Sequence, residues 1–482
     1  MKEKGCKAAC LALCLLLCAG IFAGCGEQRS ESSTTPIPTE VLQQPTEKPA
    51  QVKYMKAGET YRILIWSNAS ENEWLEQEGI QGDVVRQRYN EMKEQYGVTP
   101  VYVASPSDWL GEIMNSTYAG APICDLFHFG GPFALPSFYT HGGERGAIIE
   151  AISDYDIDFS DPEYWNQEIQ AATTFGGKQY AVAPYGIGFQ QIGLNIVTFF
   201  NKDLIRKAGY TAQQLYDWSN NGEWTFDKFR EVALACTDPD QEIYGTSLGD
   251  NVHFVLGMLV AYGADWFVRQ DDGVDVFNMT SAKSLEAIDF LARMAREDKS
   301  INMVADDNLV RFANGQNAMI LSYVDRISYP VLNKQMDSEY GIVMPPKASE
   351  AAEYISDLNW YDGYMICKNI ANSAGAVEFA SLFLKPAYAR SSADQKQIMA
   401  AECETFGLDE QSIEILKKVG DISHTSNYMV YASCQVGSEN VLLACSGHFQ
   451  DFVNGSLSPD TYYASVESAV NAAVRSVLLM DD

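Results

Sequence analysis

Short apolar runs give way along this chain to apolar residues at helical spacing, and that change of period lays out its elements. Tyr61–Trp66 (YRILIW) predicts a buried strand. In Gly82–Tyr96, Val84, Val85, Tyr89 and Met92 fall on one helical face, and Val98–Val103 predicts a second strand. Asp125–Phe129 (DLFHF) is a third apolar run after a Gly-Ala-Pro break. A parallel sheet with crossover helices is the economical arrangement for such an opening.

A turn at Gly176-Gly177-Lys178 leads to a strand over Gln179–Pro184 and then to a long mixed run, Ile187–Phe200. No proline interrupts that run and it is too long for one strand, so two strand pieces are expected, in a candidate crossing between lobes. Helices dominate afterwards. Asn201 precedes one over Asp203–Ala208, Thr225 is the N-cap candidate for Lys228–Ala235, and Asn278-Met279-Thr280 should cap Ser281–Arg296 with Leu285, Ile288, Leu291 and Ala292 inward. Strands at Ala318–Tyr323, Gly341–Met344 and Gly363–Cys367 alternate with helices, and there is no internal repeat. The order is α/β in two halves, with late strands free to return to either lobe and form a hinge of two or three strands.

The N-terminus carries another kind of pattern. Lys2, Lys4 and Lys7 precede an apolar run from Ala8 to Phe22, about 15 residues and short of the roughly 20 that a membrane-spanning helix needs. This reads as an export signal over 1–24. Phe22-Ala23-Gly24-Cys25 resembles a bacterial lipobox, with Phe22 where Leu is usual, which implies a diacylglycerol on the Cys25 thiol. From 25 to 58 the chain is Ser, Thr, Pro, Gln and Glu, a composition that predicts a disordered, partly extended spacer.

About 425 residues remain, more than one core usually organises, so two lobes are expected. The formal charge is −30, and removing three Lys and one Glu with the signal takes it to −32. Such a surface repels nucleic acid and anionic headgroups and excludes both as partners. The body cysteines Cys124, Cys236, Cys367, Cys403, Cys434 and Cys445 are scattered and read as buried free thiols, with Cys434–Cys445 the bridge to test first. No pair has zinc-type spacing, the five histidines form no ligand motif, and no cofactor is implied.

Five segments together resemble the extracellular solute-binding proteins of the maltose-binding type, the receptors of ABC sugar importers. They are Ala119-Gly120-Ala121-Pro122 to Asp125-Leu126, Phe175–Pro184 (FGGKQYAVAP), Phe199–Leu204 (FFNKDL) with Lys207-Ala208-Gly209, Glu223–Asp227 (EWTFD), and Phe312–Met319 (FANGQNAM). Ile123-Cys124 is inserted before Asp125, Glu223 replaces the usual Pro, and the crossing from Pro184 to Phe200 is long. The resemblance implies a two-lobed periplasmic-binding-protein-like α/β fold of type II with the ligand cleft between lobes. It divides the body into a first lobe of 59–186 plus about 345–392 and a second of about 187–344 plus 393–482. It also implies a monomer on the outer face of a single-membrane cell, binding a carbohydrate and closing about its hinge for an ABC permease, with the lipid its only membrane contact.

A sugar asks for aromatic platforms against its C–H faces and for carboxylates, amides or Arg forks at its hydroxyl rim. Trp360, Tyr361 and Asp362 combine both ahead of a strand. Phe129 and Trp66 end strands where either core packing or stacking on ligand fits. Tyr323, Asp325 and Arg326 follow the Ala318–Tyr323 strand, and Arg326 offers a fork to hydroxyls or a structural ion pair. Tyr185, Gln190 and Gln191 sit near the crossing, and Trp266 beside a hairpin tip; Trp109, His253 and Trp224 are weaker. Two rivals remain: a sensor partner or adhesin on the same body, and a glycoside hydrolase. The hydrolase needs a carboxylate pair that no segment displays, and no Gly-x-Ser-x-Gly elbow is present.

Overall fold

The apolar spacing of the opening residues produces the strand, helix and strand it predicts. A computed structural model describes residues 50–65, 75, 79–130, 140–141, 144–248, 252–271, 273–303, 307–358, 360, 362–425 and 428–477. The elements that matter begin with β1 (Thr60–Ile65), α1 (Gly79–Gln95), β2 (Thr99–Ala104), β3 (Leu126–Gly130) and β4 (Ala181–Val182). Then come β5 (Ile196–Asn201), α2 (Lys202–Lys207), α3 (Phe226–Cys236), α4 (Ala282–Arg296), β6 (Met319–Tyr323) and β7 (Tyr340–Val343). The last are β8 (Asp362–Ile366), α5 (Ser373–Phe383) and α6 (Ala393–Thr405). Trp66, Tyr361, Cys25, the export signal and residues 25–49 of the spacer lie outside the described residues; residues 53–55 of the expected spacer are instead packed, their N–H groups donating to Glu378 and Met55 buried.

The first sheet has the order β2-β1-β3-β8-β4. β1 pairs in parallel with β2 and β3, but β8 enters antiparallel between β3 and β4. The sheet is therefore mixed rather than parallel, because β8 returns from the second sheet's half of the chain and starts at the opposite end from β3. Ile63, Ile65, Leu126 and Ile366 face a core with Met92 of α1 and Phe379 and Phe383 of α5. Leu64, Phe127, Phe129 and Met365 face the other way into the larger core.

The second sheet is β6-β5-β7, antiparallel throughout, with Phe200 opposite both Met319 and Gly341. Every residue of its three strands is buried. Sheets covered on both faces lose polar alternation, which is why these strands read as unbroken apolar runs. Ser356–Asp357 pair with Ser423–His424, and the Ser356 hydroxyl donates to Ile196 O, so these residues associate with the second sheet.

Two readings of the pattern are corrected here. Ile187–Phe200 holds one strand, β5, preceded by a 3-10 turn over Gly188–Gln191. Tertiary hydrogen bonds shape that turn: Glu402 of α6 accepts from Phe189 N at 3.0 Å, and Gln395 Nε2 donates to Gly186 O and Gly188 O. Gly188 has φ +60°, and a Cβ there would collide with Glu402 Oε2. The second correction is α4, whose N-cap is Ser281, accepting from Ser284 N; Asn278 instead donates from Nδ2 to Asp265 O. The other caps are as expected, Asn201 accepting from Asp203 N and Leu204 N and Thr225 from Lys228 N. All six body cysteines are buried, and none is bridged in this structure, Cys434 and Cys445 included. No described helix is long and apolar enough to cross a membrane.

Candidate functional site

The antiparallel entry of β8 decides which side chains meet at one end of the first sheet. Its register places Asp362 beside Gly130, the last residue of β3, and Tyr364 beside His128. Gly130 leaves the space open: a Cβ there would stand 2.7 Å from Asp362 Oδ1 and 3.6 Å from Trp360 Nε1. The His128 and Tyr364 rings are 5.1 Å apart, and His128 Nε2 lies 3.8 Å from Asp362 Oδ2, beyond hydrogen-bond distance. Residues two apart on a strand share a face, so Asp362 and Tyr364 present to the same side.

Asp362 keeps 43% of its side-chain surface open. Surrounding protein nevertheless raises its pKa through desolvation, an effect that His128 partly offsets. Asp362 is thus a carboxylate that is both reachable and partly desolvated.

The second sheet supplies the facing groups. β6 ends at Tyr323, and the chain turns through Val324–Ser328, with Asp325 N held by Gly193 O at 2.8 Å and Val324 N by Asn195 O. The Arg326 guanidinium lies over the rings of Tyr323 (5.3 Å) and Tyr329 (4.5 Å) and 3.3 Å from Asp325 Oδ1. No hydrogen bond reaches Asp325 Oδ1 among the described residues. Desolvation pushes the Asp325 carboxyl up to about 6; Arg326 opposes the rise and Asp362 adds to it. The Asp325 and Asp362 carboxylates, one from each sheet, therefore sense each other across the gap.

The other sequence candidates are placed differently. Phe129 is fully buried with its ring over Gly363, where a Cβ would come within 2.8 Å. Trp266 is fully buried near Phe449, and Trp224 is fully buried parallel to Trp218. Tyr185 packs under Arg390 at 5.4 Å, Gln191 accepts from Gln395 Nε2 at 2.7 Å, and Gln190 is exposed. Trp109 is half-buried, and the side chain of His253 lies outside the described residues. A cavity of about 190 Å³ adjoins the site, lined by Ile65, Tyr102, Tyr185, Ile187, Tyr364 and Phe383 among others, with Tyr364 common to both. Beside it, burial pushes the Glu402 carboxyl up to about 7, partly offset by the Phe189 N–H. His128, Tyr364, Gly130 and Tyr329 were not legible as site residues. The one signal for Tyr364 was its i+2 spacing from Asp362, and for His128 its place as a polar residue between Phe127 and Phe129.

Residues 162–390 match the family of bacterial extracellular solute-binding proteins. That stretch is just under half of the chain. No curated protein sequence matches the chain. Among solved structures with this solute-binding fold, the cyclic α-maltosyl-1,6-maltose binding protein of Arthrobacter globiformis is 15% identical with a TM-score of 0.62, over 86% of this chain and 99% of that one. An ABC substrate-binding protein of Listeria monocytogenes in complex with cycloalternan is 16% identical with a TM-score of 0.55, over 86% and 98%. A Mycobacterium tuberculosis protein in complex with glycerophosphocholine is 13% identical with a TM-score of 0.56, over 87% and 99%. The family and these structures are binding proteins, not enzymes, and the likeness establishes the two-lobed α/β fold.

Proposed function

We propose that the protein captures a carbohydrate, specifically an oligosaccharide, between its lobes and delivers it to the membrane subunits of an ABC importer. The observation that carries this reading is that Asp362, which shares the space over Gly130 with Trp360, acts on Asp325, which adjoins Arg326, with an open carboxylate on one side and, among the described residues, an acceptor lacking a hydrogen bond on the other. Sugar hydroxyls would donate to the two carboxylates and accept from Arg326, and Trp360 would cover a C–H face. The sugars named for the Arthrobacter and Listeria proteins support the class of ligand.

The return crossing is best placed just before β8, at 358–362 rather than near 345, because Ser356–Asp357 pair within the second sheet's half. Bending at 184–195 and at this return would let the lobes close, and ligand contributes only by preferring the closed state. A diacylglycerol on Cys25, followed by the 26–58 spacer, would hold the receptor near its permease. Mass spectrometry of the mature N-terminus tests that anchor.

Thermal denaturation with linear and cyclic gluco-oligosaccharides tests the ligand class, since a ligand at 100 times its Kd adds about 2.7 kcal/mol of stability. A response to choline-type or amine ligands with silence across the sugars would replace this reading with its charged alternative. That alternative has one observation in its favour, the influence of the Asp362 carboxylate on Asp325, which Arg326 adjoins, and the fold also occurs in a glycerophosphocholine complex.

A further inference from the structure

Of the six body thiols, two stand together. Cys124 Sγ and Cys367 Sγ are 3.8 Å apart, both fully buried, and separated by 243 positions in sequence. Cys124 lies two residues before β3 and Cys367 directly follows β8. The backbone around them is pinned. Cys367 N donates to Asp125 O at 2.9 Å, Cys367 bridges Ile149 on its other side, and the Asp125 carboxylate is held by Arg62 through Nε, Nη2 and the main-chain N.

We infer that Cys124 and Cys367 are a disulfide site in the exported protein, joining the lead-in to β3 to the end of β8, the strand that returns to the first sheet. The sulfurs need only close from 3.8 Å to the roughly 2.05 Å of an S–S bond, a movement within reach of side-chain torsions. The family is extracellular, outside the reducing glutathione pool. The oxidant is a dithiol–disulfide oxidoreductase of the cell exterior. One cysteine attacks its disulfide to give a mixed disulfide, and the second cysteine displaces it. The protein thus loses two protons and two electrons, and the oxidoreductase leaves with two thiols.

Timing follows from burial. The hydrogen bond to Cys367, with burial, raises the Cys124 pKa, which leaves little thiolate in the folded state. The bond therefore forms while the two segments are still accessible during folding, and afterwards reductant cannot reach it. Its consequence is mechanical. The chain leaves the first sheet after β4 and re-enters at β8, so noncovalent pairing and packing hold the returning strand; a covalent link would keep that lobe intact while the hinge works.

Peptide mapping of protein exported by a cell with oxidising machinery tests this. The sample is alkylated in denaturant without reductant, then digested. The expected result is one linked peptide pair containing Cys124 and Cys367, two hydrogens lighter than its reduced parts, with Cys236, Cys403, Cys434 and Cys445 alkylated. Recovery of Cys124 and Cys367 as alkylated thiols, or cross-linked elsewhere, overturns the inference. Prior reduction in denaturant should lower the unfolding midpoint of the refolded wild type and leave the Cys124→Ala/Cys367→Ala double variant unmoved. Should that variant not fold, the mapping on wild type decides alone.

Discussion

Asp125 and Asp362 lie at opposite ends of the first sheet, one just before β3 and the other at the start of antiparallel β8. Asp125 is almost buried and takes three hydrogen bonds from Arg62, at 2.7 Å from the main-chain N, 3.2 Å from Nε and 2.8 Å from Nη2. Asp362 has His128 Nε2 at 3.8 Å and 43% of its side chain open. The first arrangement recurs at Asp275, which takes the Arg269 fork and the Tyr431 hydroxyl. The difference separates two uses of a carboxylate. A buried charge fully supplied with donors fixes the fold, and an accessible one left short of donors is available to a ligand.

Removing Asp125 should have the largest effect. Asp125→Ala strips the Arg62 fork of its acceptor, and breaking such a buried pair costs about 3 kcal/mol; the partial exposure of Arg62 keeps the loss at the lower end of the usual range. Urea denaturation measures it. Ligand affinity per folded molecule should stay within twofold of wild type, and a large loss of affinity would erase the division between the two ends.

Asp362→Asn should do the reverse. Hydrogen bonds to a charged group contribute about 1.5–3 kcal/mol, so affinity for the ligand should fall roughly tenfold to a hundredfold by calorimetry. Its folded pKa is raised, so at neutral pH the unliganded protein carries the desolvation cost of the charge. The neutral variant should therefore be as stable as wild type or slightly more. A destabilised Asp362→Asn that still binds tightly would make Asp362 a second Asp125.

Asp325 sharpens the comparison through pH. Its carboxyl is raised from the usual 3.8 to about 6. An acid with a raised folded pKa binds more protons folded than unfolded between those values, so its contribution to stability falls as pH climbs from about 4 to 6. The total is about 2 kcal/mol by the usual conversion of pKa shift to free energy, reduced for the fifth of the side chain in water. Urea midpoints at pH 4.5 and 7 should show this loss in wild type relative to Asp325→Asn. An identical pH response in the two proteins would mean that Asp325 is not desolvated by the facing lobe.

Part of this contrast was legible in the sequence. Local chemistry is written locally: Asn201 and Thr225 announce their helices through a side-chain oxygen next to backbone N–H groups, and the period-3.6 spacing of Val84, Val85 and Met92 is a property of α1 alone. Trp360 and Asp362 could be singled out because they adjoin a strand start. The pairing of Asp362 with Gly130 and of Tyr364 with His128 could not, since register across strands more than 200 positions apart leaves no local trace. The fate of Ile187–Phe200 was hidden for the same reason, its turn being set by Glu402 and Gln395 from a distant helix. Phe129 and Trp266 show the converse: aromatics at strand ends look alike whether they stack on a ligand or, as here, are fully buried.

His128 gives the smallest effect and the finest test of how open the Asp362 end is. At 3.8 Å from Asp362 Oδ2, with side chains 23% and 43% exposed, the pair resembles a surface ion pair, worth under about 1 kcal/mol. His128→Gln keeps a polar group beside Tyr364 but removes any charge. The unliganded protein should change in stability by less than that amount in urea at pH 6 and at pH 8, because Asp362 does not depend on His128 to stay in place; β8 holds it through the ladder to β3. Loss of several kcal/mol would show that His128 is to Asp362 what Arg62 is to Asp125, and both ends of the sheet would then be structural.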